Sequence, residues 1–238
     1  MTRKMSIIDN AIGKEKKGKK VYMKIFISAV VFLLVFFGGA IGVFLYKEHK
    51  KELAEEKFIE GLEYFRHYRY FAALMSLEKS IEMYPTDKAY LLRGICWLKV
   101  GDQKLAQQDF KMASRTENKT ILASSMAYQG FIYMFYDNDL ELALQKVNQA
   151  EQILPTYEVL LITGAVYLRA NQTEVAMDYA SRALEMNPLR PDAYALKGRA
   201  YQKMNDEENA SFYFQKALDI NPEMHKDPFY RYLQDYKK

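Results

Sequence analysis

Cysteine and histidine are scarce in this chain of 238 residues, and each scarcity closes off a class of function. A single cysteine, Cys96, excludes an internal disulfide framework. Its neighbours Ile95, Trp97 and Leu98 are apolar, and no adjacent base or cation activates it, so it reads as a packed thiol. The three histidines, His49, His67 and His225, lie far apart and form no metal-spaced pair. A phosphate-binding glycine loop and a nucleophile motif are both missing from the sequence. Acid–base chemistry needs titratable groups that converge in one cleft, and the Asp and Glu residues are spread along helix-like stretches instead. The expectation is a protein that is not an enzyme and uses neither cofactor nor metal. No basic stripe interleaved with aromatics runs along the chain, so no nucleic-acid partner is expected.

What the chain does have is unevenly placed charge and one long uncharged run. The formal net charge is only +4. Residues 1–24 alone carry a net of six positive charges from Arg3, Lys4, Lys14, Lys16, Lys17, Lys19, Lys20 and Lys24 against Asp9 and Glu15. Residues 25–46, IFISAVVFLLVFFGGAIGVFLY, hold no charge over 22 positions. About 20 apolar residues in a helix span a hydrocarbon core of roughly 30 Å. The run exceeds the apolar stretch of a cleaved signal peptide, and KEHKKELAEE stands where a small-residue cleavage site would be. A transmembrane helix is therefore expected over 25–46, with 1–24 as a basic cytoplasmic segment and the remainder on the far side of a bacterial inner membrane. Gly38 and Gly42 form a G-x-x-x-G step suited to close helix approach, and with it to a homodimer or larger complex. The run Lys14–Lys20 suits anionic lipid headgroups as well as topology. No Gly or Pro interrupts 43–60, so a helical connector over 47–53 is expected to run on without a break into the rest of the chain.

Beyond residue 53 the chain repeats. Gly61, Gly94, Gly130, Gly164 and Gly198 recur at steps of 33, 36, 34 and 34 residues. Ala73, Ala106, Ala143, Ala176 and Ala210 follow them twelve or thirteen residues later, and Pro85, Pro155, Pro188 and Pro222 come twelve after their alanines. A fixed period of this size denotes stacked supersecondary units. Each unit reads as two helices, with the glycine and alanine opposed where the pair packs and the proline stopping the second helix. The units run roughly 54–86, 87–122, 123–156, 157–190 and 191–224. The first has Ser80 where a third small residue is expected. The second has Asn118 where proline is expected and extra residues at its exit, Glu117–Leu122; the third carries an additional residue in its turn, Asp137–Asp139. After Pro222, Asp227 and Pro228 suit a helix start, and Phe229, Leu233 and Tyr236 then share a face. The segment 225–238 is expected to be a capping helix, with docking to a partner as the alternative.

The most regular unit shows Tyr157, Leu160, Gly164, Tyr167, Ala176, Ala180, Ala183 and Pro188, and the last shows Tyr194, Gly198, Tyr201, Ala210, Phe214, Ala217 and Pro222. This resembles the tetratricopeptide repeat, whose pattern is W/Y-x-x-L-G-x-x-Y…A-x-x-x-F…A…P. The resemblance implies an all-α, right-handed solenoid of about five helix–turn–helix repeats with a binding groove lined by the first helices. The inward places fall at Phe58, Leu62 and Phe65, then Leu91, Ile95 and Leu98. They continue at Ala127, Phe131, Met134 and Phe135, at Leu161, Ala165 and Leu168, and at the more polar Ala195, Arg199, Gln202 and Lys203. The groove is thus expected to be apolar with a basic C-terminal end, fitted to a helix or hydrophobic peptide of a protein partner. The alternative is that some of these residues only pack against each other. The Lys and Asn that some relatives use to clamp a C-terminal carboxylate are replaced by Phe58, Leu62 and Leu92. The resemblance implies a membrane-anchored adaptor for an envelope, secretion, motor or pilus complex. A periplasmic holder of unfolded or translocating polypeptides is the second reading. Repeats facing the cytosol from a eukaryotic organelle are a third, disfavoured by the long span and basic N-terminus.

Overall fold

The computed structural model describes residues 2–227, with the side chains of 2–22 and most of 24–36 outside the description. The chain folds as two compact units, Met1–Glu52 and Leu53–Lys238. Helix α1 is Thr2–Arg66 and contributes to both. Within the first unit, Phe37, Ile41, Val43, Phe44, Leu45 and Tyr46 are all exposed. Among the described residues no helix is long and apolar enough to cross a membrane. Most side chains of the first half of 25–46 lie outside them, as do those of Lys14–Lys20. A Cβ added to Gly38 or Gly42 meets nothing within 4 Å, so no contact among the described residues requires either glycine.

The second unit holds ten helices among its described residues, counting the end of α1. They are α1, α2 (Tyr70–Met83), α3 (Asp87–Val100), α4 (Gln103–Ala113), α5 (Lys119–Phe135), α6 (Leu140–Ile153), α7 (Tyr157–Arg169), α8 (Thr173–Met186), α9 (Pro191–Lys203) and α10 (Glu207–Ile220). A 3₁₀ turn, Pro222–Lys226, follows. The helices pair in sequence, and each first helix also packs on the first helix of the next repeat: α3 on α5, α5 on α7, α7 on α9.

Two local rules repeat. Tyr84, Leu154, Asn187 and Asn221, each just before a proline, are extended, as sterics ahead of a proline ring demand. They end α2, α6, α8 and α10. Where proline is missing, Asn118 accepts from the Thr120 and Ile121 amides and caps α5, so part of the extra exit sequence becomes an additional turn of helix rather than loop. Every turn inside a repeat contains one left-handed residue: Tyr68, Gly101, Asn138, Asn171 and Asn205. Glycine and asparagine tolerate that conformation; a tyrosine there, at φ 58°, is strained.

The seam inside each pair is built by the periodic residues. A Cβ on Gly61, Gly94, Gly130 or Gly198 would come within 2.7–3.0 Å of Leu77, Phe110, Val147 or Phe214 on the paired second helix. Gly164 meets Leu196 of α9 at 2.8 Å and Tyr179 of α8 at 3.1 Å. Opposite them Ala73, Ala106, Ala143, Ala176 and Ala210 are buried. The tyrosines after the last two glycines stack on the second helix: Tyr167 on Tyr179 at 5.4 Å and Tyr201 on Tyr213 at 5.3 Å. Ser80, irregular by pattern, has a structural reason: its hydroxyl donates to the Ala54 carbonyl at 2.7 Å, in a buried contact between α2 and α1.

Candidate functional site

The first helices line a cavity of about 500 Å³, within the range of sites that take a ligand's anchoring side chains. Its wall crosses the repeats obliquely. It touches the end of α1 at Phe65 and the end of α3 at Ile95, Leu98 and Lys99. It then takes the middle and end of α5 at Tyr128, Phe131 and Phe135, and the start of α7 at Glu158, Leu161 and Ile162. At α9 only the start contributes, through Pro191 and Asp192. The lining position therefore slides from the C-terminal to the N-terminal end of the first helices, because each repeat is rotated relative to the one before it.

This drift sorts the expected groove residues. Phe65, Ile95, Leu98, Phe131, Phe135 and Leu161 are brought together on the wall. Phe131 and Phe135 stack at 5.5 Å, and Phe135 remains 38% exposed. Phe58 and Leu62 pack instead on the core around Leu74 and Leu77, and Leu91 on that around Phe110. Met134 is 3% and Leu168 5% exposed, inside the core, with Ala127, Ala165 and Ala195 likewise buried. The expected basic end does not line the cavity. Arg199 is buried and donates to Gln202, while the Lys203 ammonium donates to the Leu168 carbonyl and to Asn171, each at 2.6 Å. Burial, reinforced by Arg199 and Arg169, pushes the Lys203 pKa down.

The charges that do line the cavity went unnoticed in the sequence. Arg190 bridges Glu158 at 2.8 Å and Asp192 at 2.7 Å while its guanidinium lies 4.2 Å from the Tyr157 ring centre. Burial alone would lower the Arg190 pKa; the two carboxylates outweigh it and hold it up. These residues sit in the first turns of α7 and α9 or just ahead of them, places that a fixed repeat frame gives no reason to inspect.

The end of the last repeat also contributes to the lining of the cavity. Asn221 donates through its amide to the Tyr68 hydroxyl at 2.8 Å, linking residues 153 positions apart. The Lys99 ammonium donates to both Asp227 oxygens, at 2.7 and 2.9 Å, across 128 positions. Between them Met224 is buried at 4% exposure. Asn221, Met224 and Asp227 all line the cavity. The segment Asn221–Asp227 thus reaches from the fifth repeat to the turn of the first repeat and the first helix of the second. Burial and nearby Asp227 raise the Tyr68 pKa above its ordinary value. Of the expected capping helix over 225–238, His225 and Lys226 instead end the 3₁₀ turn and Asp227 is extended; the rest lies outside the described residues.

Residues 191–224 match the family model of the tetratricopeptide repeat. The chain is similar in fold to TTC0263, a thermophilic TPR protein of Thermus thermophilus, at 20% identity, with 76% of this chain and 98% of that one covered and a TM-score of 0.61. It is also similar to PilW, described as a widely conserved type IV pilus biogenesis factor, at 21% identity, 70% and 77% coverage and a TM-score of 0.54. At these identities the likeness shows the fold: an all-helical, TPR-like solenoid. No curated protein matches the sequence.

Proposed function

We propose that this TPR-like solenoid is a membrane-anchored scaffold whose cavity takes an apolar helix or extended hydrophobic peptide of a protein partner, on the extracytoplasmic side of a bacterial inner membrane. The observation that carries the binding role is the cavity itself. An aromatic and aliphatic wall drawn from successive repeats is edged by a few fixed, paired charges, as peptide sites are. The anchoring rests on the sequence: the uncharged run 25–46 with six net positive charges ahead of it. The exposed apolar side chains from Phe37 to Tyr46 support the same reading. PilW supplies one setting among envelope, secretion, motor and pilus assemblies, by analogy of fold alone.

The paired charges favour a defined partner over a general holder of unfolded chains. Arg190 is committed to Glu158 and Asp192, and Lys99 to Asp227, which places polar groups at fixed points around the apolar wall. The test is photo-crosslinking of the full chain in its native membrane from a probe residue placed at Ile95. A scaffold gives one defined adduct in fixed ratio; a spread of unrelated adducts supports the holder, and no adduct removes the binding role. Protease added outside the cytoplasmic membrane should digest the repeats and spare residues 1–24; protection of the repeats would reverse the topology.

A further inference from the structure

Seven of the residues that line the cavity are aromatic, and four of them lie on α5 or at its end: Tyr128, Phe131, Phe135 and Tyr136. The wall is therefore mostly flat ring surface there. The middle two rings stack on each other at 5.5 Å. The outer two are fixed by their neighbours: Tyr128 stacks on buried Phe110 at 5.2 Å, and Tyr136 meets Phe135 edge-on at 5.0 Å. Both tyrosines are half-buried, yet neither hydroxyl makes a hydrogen bond among the described residues. Burial, and then the Glu158 carboxylate, push the Tyr128 phenol up; burial alone does so for Tyr136. Other buried or half-buried phenols are engaged. The Tyr157 hydroxyl accepts from the Ala193 amide, that of Tyr179 donates to Glu151, and that of Tyr68 accepts from Asn221. Two unpartnered hydroxyls on one cavity mark what its ligand has to supply.

The rest of the lining decides which backbone supplies it. An α-helix pairs its interior N–H and C=O groups with each other and has none to offer. A strand brings an N–H with every carbonyl, and the carboxylates at the cavity are already engaged, Glu158 and Asp192 by Arg190 and Asp227 by Lys99. A proline-rich segment in the polyproline II conformation has carbonyls without internal partners and few N–H groups. It docks on aromatic-lined grooves and loses little entropy in doing so. Tyr128 and Tyr136 stand about 12 Å apart along the helix, the length of about four residues of polyproline II. From these observations we infer that the cavity takes a proline-rich segment of the partner, its rings on Phe131 and Phe135 and its carbonyls accepting from the Tyr128 and Tyr136 hydroxyls.

The inference rests on the proposed binding role and narrows its partner. The probes are two fluorescein-labelled peptides, APPLPPLPA and AAALAALAA, titrated by anisotropy against the detergent-solubilised full chain. The second keeps both leucines and exchanges every proline for a helix former. The expected result is saturable binding of the proline peptide, tighter than its counterpart by at least about tenfold. Equal affinity, preference for the alanine peptide, or no binding of either overturns the inference. The double variant Tyr128→Phe with Tyr136→Phe keeps both rings and removes only the hydroxyls. It should bind the proline peptide about tenfold more weakly, as the loss of two hydrogen bonds implies, with helix content unchanged by circular dichroism. Undiminished binding with intact helix content overturns the inference. So that misfolding of the variant cannot decide the matter, a benzophenone in place of the second leucine of the proline peptide should join, in the unaltered chain, to the stretch 128–136. Attachment elsewhere overturns it. A single defined partner captured from Ile95, with no preference for the proline peptide, removes this inference and leaves the proposed function; proline-selective binding with no partner in the native membrane does the reverse.

Discussion

The seams inside the repeats and the wall of the cavity are made from the same first helices, yet they answer to different geometry. At the seam, each repeat does the same thing in the same place: glycine against a large side chain, alanine opposite, a closure that a period of about 34 residues encodes directly. Along the wall the place used shifts from the end of the first helix in the early repeats to its start in the last, because the cavity crosses the helices at a slant. Even the ion pairs differ. Arg93 grips Asp109 with two bonds of 2.8 Å between α3 and α4, where Asp109 is 4% exposed. Arg190 holds its two carboxylates at the wall with side chains 38%, 36% and 22% exposed. One pair is part of the core; the other stands partly exposed at the wall.

That contrast can be broken by substitution. Arg93→Met should cost the most, about 3–5 kcal/mol, since it leaves a buried carboxylate without its partner; urea unfolding of the full chain measures it. Gly94→Ala should cost about 1–3 kcal/mol, because the new methyl meets the Phe110 ring at 2.7 Å and Phe110, with 0% exposure, has nowhere to move. Tyr68→Phe should cost about 0.5–1.5 kcal/mol for one hydrogen bond, read locally as faster amide exchange in 222–227. Smallest in stability is Arg190→Met at the wall, no more than about 1 kcal/mol, as expected of a half-exposed pair, while it weakens partner capture. Were it to cost as much as Arg93→Met, the seam and the wall would not be distinct. The core between the first and second repeats has a chemical reporter in Cys96, which packs with Ala73, Leu74 and Leu77 of α2: burial pushes its thiol up to about 12, so iodoacetamide at pH 8 should label it only as the chain unfolds.

The same contrast explains how far the sequence could be read. The seams were legible because Gly94, Ala106 and their equivalents perform one task at one interval, and so were the proline stops at Pro85, Pro155, Pro188 and Pro222. The turns were less so: Asn138, Asn171 and Asn205 carry the left-handed conformation visibly, but nothing in the sequence marks Tyr68 for it. At the wall, applying one repeat register to every unit picked out Phe65, Ile95, Leu98, Phe131, Phe135 and Leu161, which do line the cavity. It assigned Met134 and Leu168 to the groove although both are core, and it passed over Glu158, Arg190 and Asp192 at the helix starts. The contacts Lys99–Asp227 and Tyr68–Asn221 join residues more than a hundred positions apart. No local pattern foreshadows such contacts, since they depend on the rotation accumulated over all five repeats.

The central claim, that the wall binds and the seam folds, is tested most directly by the double variant Phe131→Ser with Phe135→Ser in the full chain, followed by circular dichroism and partner crosslinking from Ile95 in the native membrane. The account predicts unchanged helix content and loss of the partner adduct. Loss of helix content would make these two residues core, and an undiminished adduct would move binding away from the cavity.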